Sequence, residues 1–110
     1  MGFIRVGETT EVAPGTIKPF LVAGKQLAVA NLDGSYYAFD NWCTHEACTF
    51  SDDGEIEDGM LVCTCHFGEF DPATGAVLGG PPWEPLGVYE LEVTGDEILI
   101  DPRVDDAAAS

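Results

Sequence analysis

Short runs of alternating apolar and polar residues make up most of the chain, and each run ends at turn-forming residues. A period of two is typical of strands with one buried face, and no stretch keeps the 3.6-residue period of a helix. The pattern therefore predicts an all-β fold. The predicted strands are Phe3–Val6, Pro19–Val22, Gln26–Leu32, Tyr36–Asp40, Met60–Cys63, Glu69–Phe70, Ala76–Leu78, Val88–Val93 and Glu97–Ile100.

Pairs of aspartate and glycine between apolar runs predict tight hairpins. Asp33-Gly34 separates two predicted strands, and Gly95-Asp96 separates two more. Glycine adopts the positive φ that such short connections require. Residues 71–75, with the sequence DPATG, predict a further turn. The tail 103–110 has little apolar surface to bury, so we expect it to be frayed.

Length and charge indicate one small acidic domain. A chain of 110 residues can bury a single modest core, and a second domain is not expected. Twenty acidic residues against four basic ones give a formal charge of −16, which disfavours nucleic acid and anionic lipid as partners. One interpretation is that the charge favours a partner with a basic docking surface. The other is that it only keeps the protein soluble or reflects a saline environment. The stretch 51–59, SDDGEIEDG, is either an acidic docking face or an ordinary surface loop.

The sequence has no feature that predicts export or membrane insertion. The first 15 residues contain no apolar run of signal-peptide length, and no window approaches the roughly 18 apolar residues of a membrane helix. We therefore expect a cytoplasmic protein that makes no contact with membranes. In that compartment, cysteines close to histidines favour metal binding over a framework of disulfides.

All four cysteines and both histidines lie in two stretches, CTHEAC at 43–48 and CTCHFGEF at 63–70. They form the pattern Cys43-x-His45, seventeen further residues, and Cys63-x-x-His66. Two cysteines and two histidines suit either a structural zinc ion or a [2Fe-2S] cluster with two thiolates on one iron and two imidazoles on the other. The one-residue spacer is shorter than zinc-finger spacers and favours the cluster. A zinc-stabilised interaction module remains an alternative.

The two stretches and their surroundings resemble Rieske [2Fe-2S] proteins. The resemblance includes FGEFD and TG after the second stretch, GGPPWEPL at 79–86 as a proline-rich covering loop, and the final hairpin LGVYELEVTGDEILI. It implies one domain over 1–110, an antiparallel β-sandwich whose cluster-binding subdomain, with two hairpin loops, spans about 41–78. It also implies that Cys43 and Cys63 bind one iron while His45 and His66 bind the other.

Among Rieske proteins, the chain is similar to the soluble ferredoxins of bacterial aromatic ring-hydroxylating dioxygenase systems. This similarity implies an electron carrier with one cluster per chain, not an enzyme. Its expected partners are a flavin-containing ferredoxin reductase and a terminal Rieske oxygenase, which a monomeric carrier meets by transient electrostatic docking. A carrier for a nitrite reductase-like or P450-type system is the alternative.

Several positions near the ligands refine what the resemblance implies. High-potential Rieske proteins have serine and tyrosine hydroxyls where this chain has Gly68 and Phe70, so we expect a low reduction potential. Cys48 and Cys65 match the cysteines that form a disulfide in that high-potential branch; here they form either such a bridge or a pair of buried thiols. Further candidates for shaping the cluster surroundings or a docking surface are Phe67, Pro81 and Trp83, and Trp42 is expected in the core.

Overall fold

The structure is a computed structural model that describes residues 3–42, 49–64, 68–79 and 86–102. Within these ranges the chain forms strands joined by short turns, with one 3₁₀ turn at Thr9–Glu11 and one short helix, α1, at Phe50–Asp53. The strands are β1 Ile4–Glu8, β2 Ile17–Val22, β3 Lys25–Leu32, β4 Ser35–Asp40, β5 Gly54–Glu57, β6 Met60–Cys63, β7 Gly68–Phe70, β8 Val77–Gly79, β9 Val88–Tyr89, β10 Leu91–Thr94 and β11 Glu97–Ile100.

The described strands form three antiparallel sheets. The first has the order β1-β11-β10, the second β2-β3-β4-β9 and the third β5-β6-β7-β8. Each sheet consists mainly of neighbours along the chain, as short hairpins dictate. The third sheet contains Cys63, at the end of β6, and Gly68, at the start of β7, which lie on either side of residues 64–67. We call it the ligand sheet.

Strand β3 separates two hydrophobic cores because both of its faces are buried. Leu27 and Val29 belong to a core with the first sheet, where Ile98 and Ile100 are fully buried. Ala28 and Ala30 point to the opposite face and belong to a core with the ligand sheet. The small alanine side chains leave room there for bulky aromatic residues of the neighbouring elements. The ligand sheet is thus held on the body of the protein by a packed apolar layer.

The turn after β3 has the geometry that its Asp-Gly sequence predicts. Asp33 has φ +53° and Gly34 has φ +95°, so both central residues are left-handed, as a two-residue hairpin of this kind requires. The side chain of Asn31 reinforces the turn: its Oδ1 accepts a hydrogen bond from the Gly34 amide at 2.7 Å, and its Nδ2 donates to the Val12 carbonyl at 2.8 Å.

The all-β prediction is confirmed, and β6 and β11 have the predicted bounds. Two predictions need correction. The acidic stretch 51–59 is not a plain loop, because it contains most of α1 and the whole of β5, which pairs with β6 along its length. The predicted strand Val88–Val93 is two strands, interrupted at Glu90, because β9 pairs with β4 whereas β10 pairs with β11. In the described ranges, no helix has the length and apolarity needed to cross a bilayer.

Candidate metal centre

The described residues include one of the four predicted cluster ligands, Cys63. They also include the chain segments on either side of the other three ligands. Cys63 lies at the end of β6. Gly68 and Phe70, predicted to lie near the cluster, are the first and last residues of β7. The remaining predicted residues lie outside the described ranges; they are Cys43, His45, His66, Cys48, Cys65, Phe67, Pro81 and Trp83.

A tight hairpin base holds the second ligand stretch. Cys63 pairs with Gly68 across β6 and β7, so the four residues 64–67 connect two strands that are already in register. Cys63 is only 1% exposed and shares its face with Leu61, in the core that includes Phe50. A metal-bound thiolate at this position would be shielded from water by apolar neighbours. Such shielding influences the reduction potential of a metal site.

The first ligand stretch has a base of its own, built around Asn41. Trp42 and Thr49 form an isolated antiparallel bridge, with residues 43–48 between them. The buried side chain of Asn41 accepts a hydrogen bond from the Ser51 amide at 2.9 Å and donates one to the Ser51 hydroxyl at 3.0 Å. Its backbone carbonyl accepts a third bond, from the Phe50 amide at 2.7 Å. We call these three bonds the Asn41 clamp.

Helix α1 connects the bases of the two ligand stretches. It starts at Phe50, within the Asn41 clamp, and leads directly into Gly54, which pairs with Cys63. The Phe50 ring packs edge-on against Phe70, at a centroid distance of 5.8 Å. Gly54 has no room for a side chain, since a Cβ would approach the backbone of Phe50 to 2.5 Å. The chain therefore connects the base of the first stretch directly to the strand that pairs with Cys63.

The proline-rich stretch begins next to the second ligand stretch and returns next to the first. Gly79, its first residue, pairs with Glu69, the neighbour of Gly68. Gly87, just after it ends, accepts a hydrogen bond from the Asp40 amide at 2.9 Å. Asp40 stands one residue before the Asn41 clamp. The described start of the proline-rich stretch thus lies beside β7, and the residue after its end is bonded to the strand that leads into the first ligand stretch.

Tyr89 anchors the strand that follows the proline-rich stretch. Its hydroxyl donates a hydrogen bond to the Asp40 carboxylate. Burial, followed by this hydrogen bond and the negative charge of Asp40, raises the pKa of the Tyr89 phenol well above its usual range. The phenol therefore stays protonated and keeps β9 attached to the end of β4 at physiological pH.

Two residues differ from what the sequence indicated. Trp42 was expected in the core but is 46% exposed, because the chain leaves the sheet at that point and enters the first ligand stretch. Asn41 was not identified from the sequence, although it forms the base of that stretch. A polar residue at the end of the apolar and aromatic strand YYAF was the available signal.

Phe70 is fully buried, and its ring lies in the aromatic cluster with Phe50. Gly68, which starts the same strand, is also buried and has no side chain. Neither residue has a hydroxyl that could donate a hydrogen bond to a neighbouring sulfur. Neither the first nor the last residue of β7 therefore contributes a polar side chain.

Comparison with known proteins gives matches over most of the chain. A family model described as a Rieske [2Fe-2S] domain matches residues 2–90. The biphenyl dioxygenase ferredoxin subunit of Pseudomonas sp. strain KKS102 is 33% identical over 101 residues, which cover 92% of this chain and 93% of that protein.

Two solved structures share the fold over nearly the whole chain. The ferredoxin of carbazole 1,9a-dioxygenase from Nocardioides aromaticivorans IC177 has a TM-score of 0.86 and 30% identity, covering 94% of this chain and all of that one. A chain in a complex of reduced oxygenase and oxidized ferredoxin of carbazole 1,9a-dioxygenase has a TM-score of 0.85 and 30% identity, covering 94% of this chain and 96% of that one.

Proposed function

The chain belongs to the Rieske [2Fe-2S] domain family, and on that premise we propose that it carries single electrons from a flavin-containing reductase to the terminal oxygenase of an aromatic ring-hydroxylating dioxygenase system. The observation that carries the proposal is the match, over more than nine-tenths of both chains, to a ferredoxin subunit of such a system. A carrier of this kind needs no substrate pocket or catalytic acid and base. The reaction on the aromatic compound belongs to the oxygenase.

We assign the cluster ligands from the family pattern and the position of Cys63. Cys43 and Cys63 would bind one iron through sulfur, and His45 and His66 the other through nitrogen. When bound, the cluster supplies a one-electron couple. Two ferric ions, two sulfides and two thiolates sum to zero charge, so mixed ligation raises the potential above that of clusters with four thiolates. The hairpin base at Cys63 and the Asn41 clamp hold the described ends of the two ligand stretches.

The remaining features of the site are proposed on the same basis. The single domain covers 1–110, with its cluster-binding part at about 41–78. Cys48 and Cys65 would form a bridge between the ligand stretches, while Phe67, Pro81 and Trp83 would border the cluster. The acidic surface, with a chain charge of −16, suits brief docking of a cytoplasmic monomer to basic surfaces on its two partners.

We predict a reduction potential at the low end of the Rieske range, about −150 mV, because Gly68 and Phe70 offer no hydroxyl to the cluster sulfurs. Protein-film voltammetry measures this value directly, and a potential above zero would contradict the prediction.

Phe70→Tyr restores the hydroxyl of the high-potential pattern and should shift the potential upward. Phe39→Tyr is the matched control: Phe39 is equally buried and contacts the same Phe50 ring, at 5.4 Å, and should leave the potential unchanged.

Reconstitution tests the electron-carrier role. The purified chain, combined with NADH and the reductase and terminal oxygenase encoded nearest to its gene, should support dihydroxylation of an aromatic substrate, and omission of the chain should stop product formation. A chain that instead couples only to a nitrite reductase or a P450-type enzyme would support the alternative. A colourless protein with stoichiometric zinc would contradict both.

A further inference from the structure

An open groove lies between the second sheet and α1, beside the base of the first ligand stretch. Its volume is about 440 Å³, and the lining includes Pro19, Leu21, Gln26, Asn41, Ser51 and Asp52. We call it the Leu21 groove. Thr49, which also lines it, comes directly after residues 43–48. A molecule seated in the groove would therefore contact Thr49, the first described residue after the stretch that carries Cys43 and His45.

The groove exposes the continuation of a core face. Leu21 pairs with Gln26 across β2 and β3, so the two side chains share a face of the sheet. On that face the earlier residue Ile17 and its neighbour Ala30 are buried beneath the ligand sheet. At the other end of β2, Leu21 is 73% exposed, the highest value among the exposed large hydrophobic residues of the described chain. Leu21 therefore offers an exposed apolar side chain to a partner at the open groove.

Charge restricts what can fit there. Asp52 is exposed on the rim, and the lining residues that the structure describes include no lysine, arginine or histidine. The nearest lysine along the sheet, Lys25, donates to the Pro102 carbonyl at 3.1 Å and lies 5.5 Å from the Tyr89 ring, in the direction of the other core. The net charge of −16 opposes an anionic membrane. The groove suits a protein that presents an apolar side chain flanked by lysine or arginine.

The edge of the sheet restricts the mode of contact. β2 is an edge strand of the second sheet, and Pro19 removes a backbone donor from its centre. Proline on an edge strand disfavours the addition of a further strand, including one from a second copy of the chain. Contact at the groove is thus made through side chains, as in short-lived protein complexes.

We propose that the Leu21 groove is a docking site for the terminal oxygenase, and that Leu21 and Asp52 supply its apolar centre and its charged rim. The proposal rests on the proposed function. The oxygenase is chosen over the reductase because an oxygenase and a ferredoxin are together in a solved complex that includes a chain of this fold. The groove places the partner against Asn41 and Thr49, at the described base of the first ligand stretch.

The test compares the two half-reactions of Leu21→Ser in the reconstituted system. We expect the KM of the oxygenase for the reduced carrier to rise about tenfold, with reduction by the reductase within about twofold of wild type. The visible spectrum and the potential should not change. Val93→Ser is the matched control, since Val93 is exposed at 43% on the first sheet, and it should leave both half-reactions unchanged. Asp52→Asn should raise the same KM at low salt only, since salt screens its charge.

Each other result overturns the proposal in a distinguishable way. If both half-reactions of Leu21→Ser match wild type, the groove is not a docking site, while the carrier role stands. If only the reductase half-reaction slows, the occupant is the reductase. If gel filtration shows a wild-type dimer that Leu21→Ser converts to a monomer, the occupant is a second copy. If the wild-type carrier reduces no oxygenase, the proposed function fails, and with it the docking partner.

Discussion

Alanine in place of His45 or His66 is expected to abolish the visible and EPR spectrum of a mixed-ligand cluster. Both histidines are assigned to one iron, and replacement of either leaves that iron with an open coordination position, since alanine has no ligand atom. Binding of a structural metal centre is coupled to folding, so the effect on stability should be large as well. Absorption and EPR spectra, together with iron and acid-labile sulfide analysis, measure the loss. An intact spectrum in either variant would refute the ligand assignment.

The cysteines provide the matched comparison. Cys63→Ser should lose iron and sulfide, because Cys63 is the assigned thiolate at the buried end of β6. Cys65→Ser changes a cysteine only two residues away but should retain the spectrum, since that residue is assigned to the bridge with Cys48. Loss of the bridge would lower stability by about 3 kcal/mol, so the spectra are compared at low temperature. If Cys63→Ser retained its iron and Cys65→Ser lost it, Cys65 would be the cluster ligand and Cys63 would not.

Local signals predicted the part of the fold that depends on local pairing. The Asp33-Gly34 turn was identifiable because few residue pairs tolerate two successive positive φ values. β11 was predictable because Ile98 and Ile100 alternate with less buried residues on a strand with one core face. In these cases the sequence itself contains the physical cause of the structure.

The acidic stretch illustrates why other elements could not be predicted. β5 has a single apolar side chain, Ile56, between Glu55 and Glu57, so the pattern is that of a surface loop. It forms because β6 offers a free edge and because α1 places Gly54 opposite Cys63. Both causes lie outside the segment. Trp42 was misplaced for a similar reason: its exposure depends on where the chain leaves the sheet.

The chemistry of the site was more predictable than its support. Metal ligands require particular residue types at restricted spacings, so two short cysteine and histidine stretches were enough to suggest the cluster. The residues that hold those stretches have no such requirement. Asn41 is recognisable only from its partners Phe50 and Ser51, which lie on the far side of the ligand stretch and come next to it only after folding.

Asn41→Ala is expected to destabilise the protein and to release the cluster more readily. The change removes both side-chain hydrogen bonds of the Asn41 clamp and leaves the Ser51 amide without that partner, at a cost of about 2–3 kcal/mol in the free energy of unfolding. The base of the first ligand stretch would open more often, because the clamp and the bridge between Trp42 and Thr49 close it. Thermal unfolding and the rate of iron transfer to an excess of ferrous chelator measure the two effects.

Asn31→Ala separates loss of the clamp from general loss of stability. Asn31 is buried to the same extent as Asn41 and also makes two side-chain hydrogen bonds, but it supports the hairpin between β3 and β4, away from the ligand stretches. We expect the two variants to lose similar stability and Asn41→Ala alone to lose iron faster at temperatures where both remain folded. Equal rates of iron loss would mean that the Asn41 clamp stabilises the fold without controlling the ligand stretch.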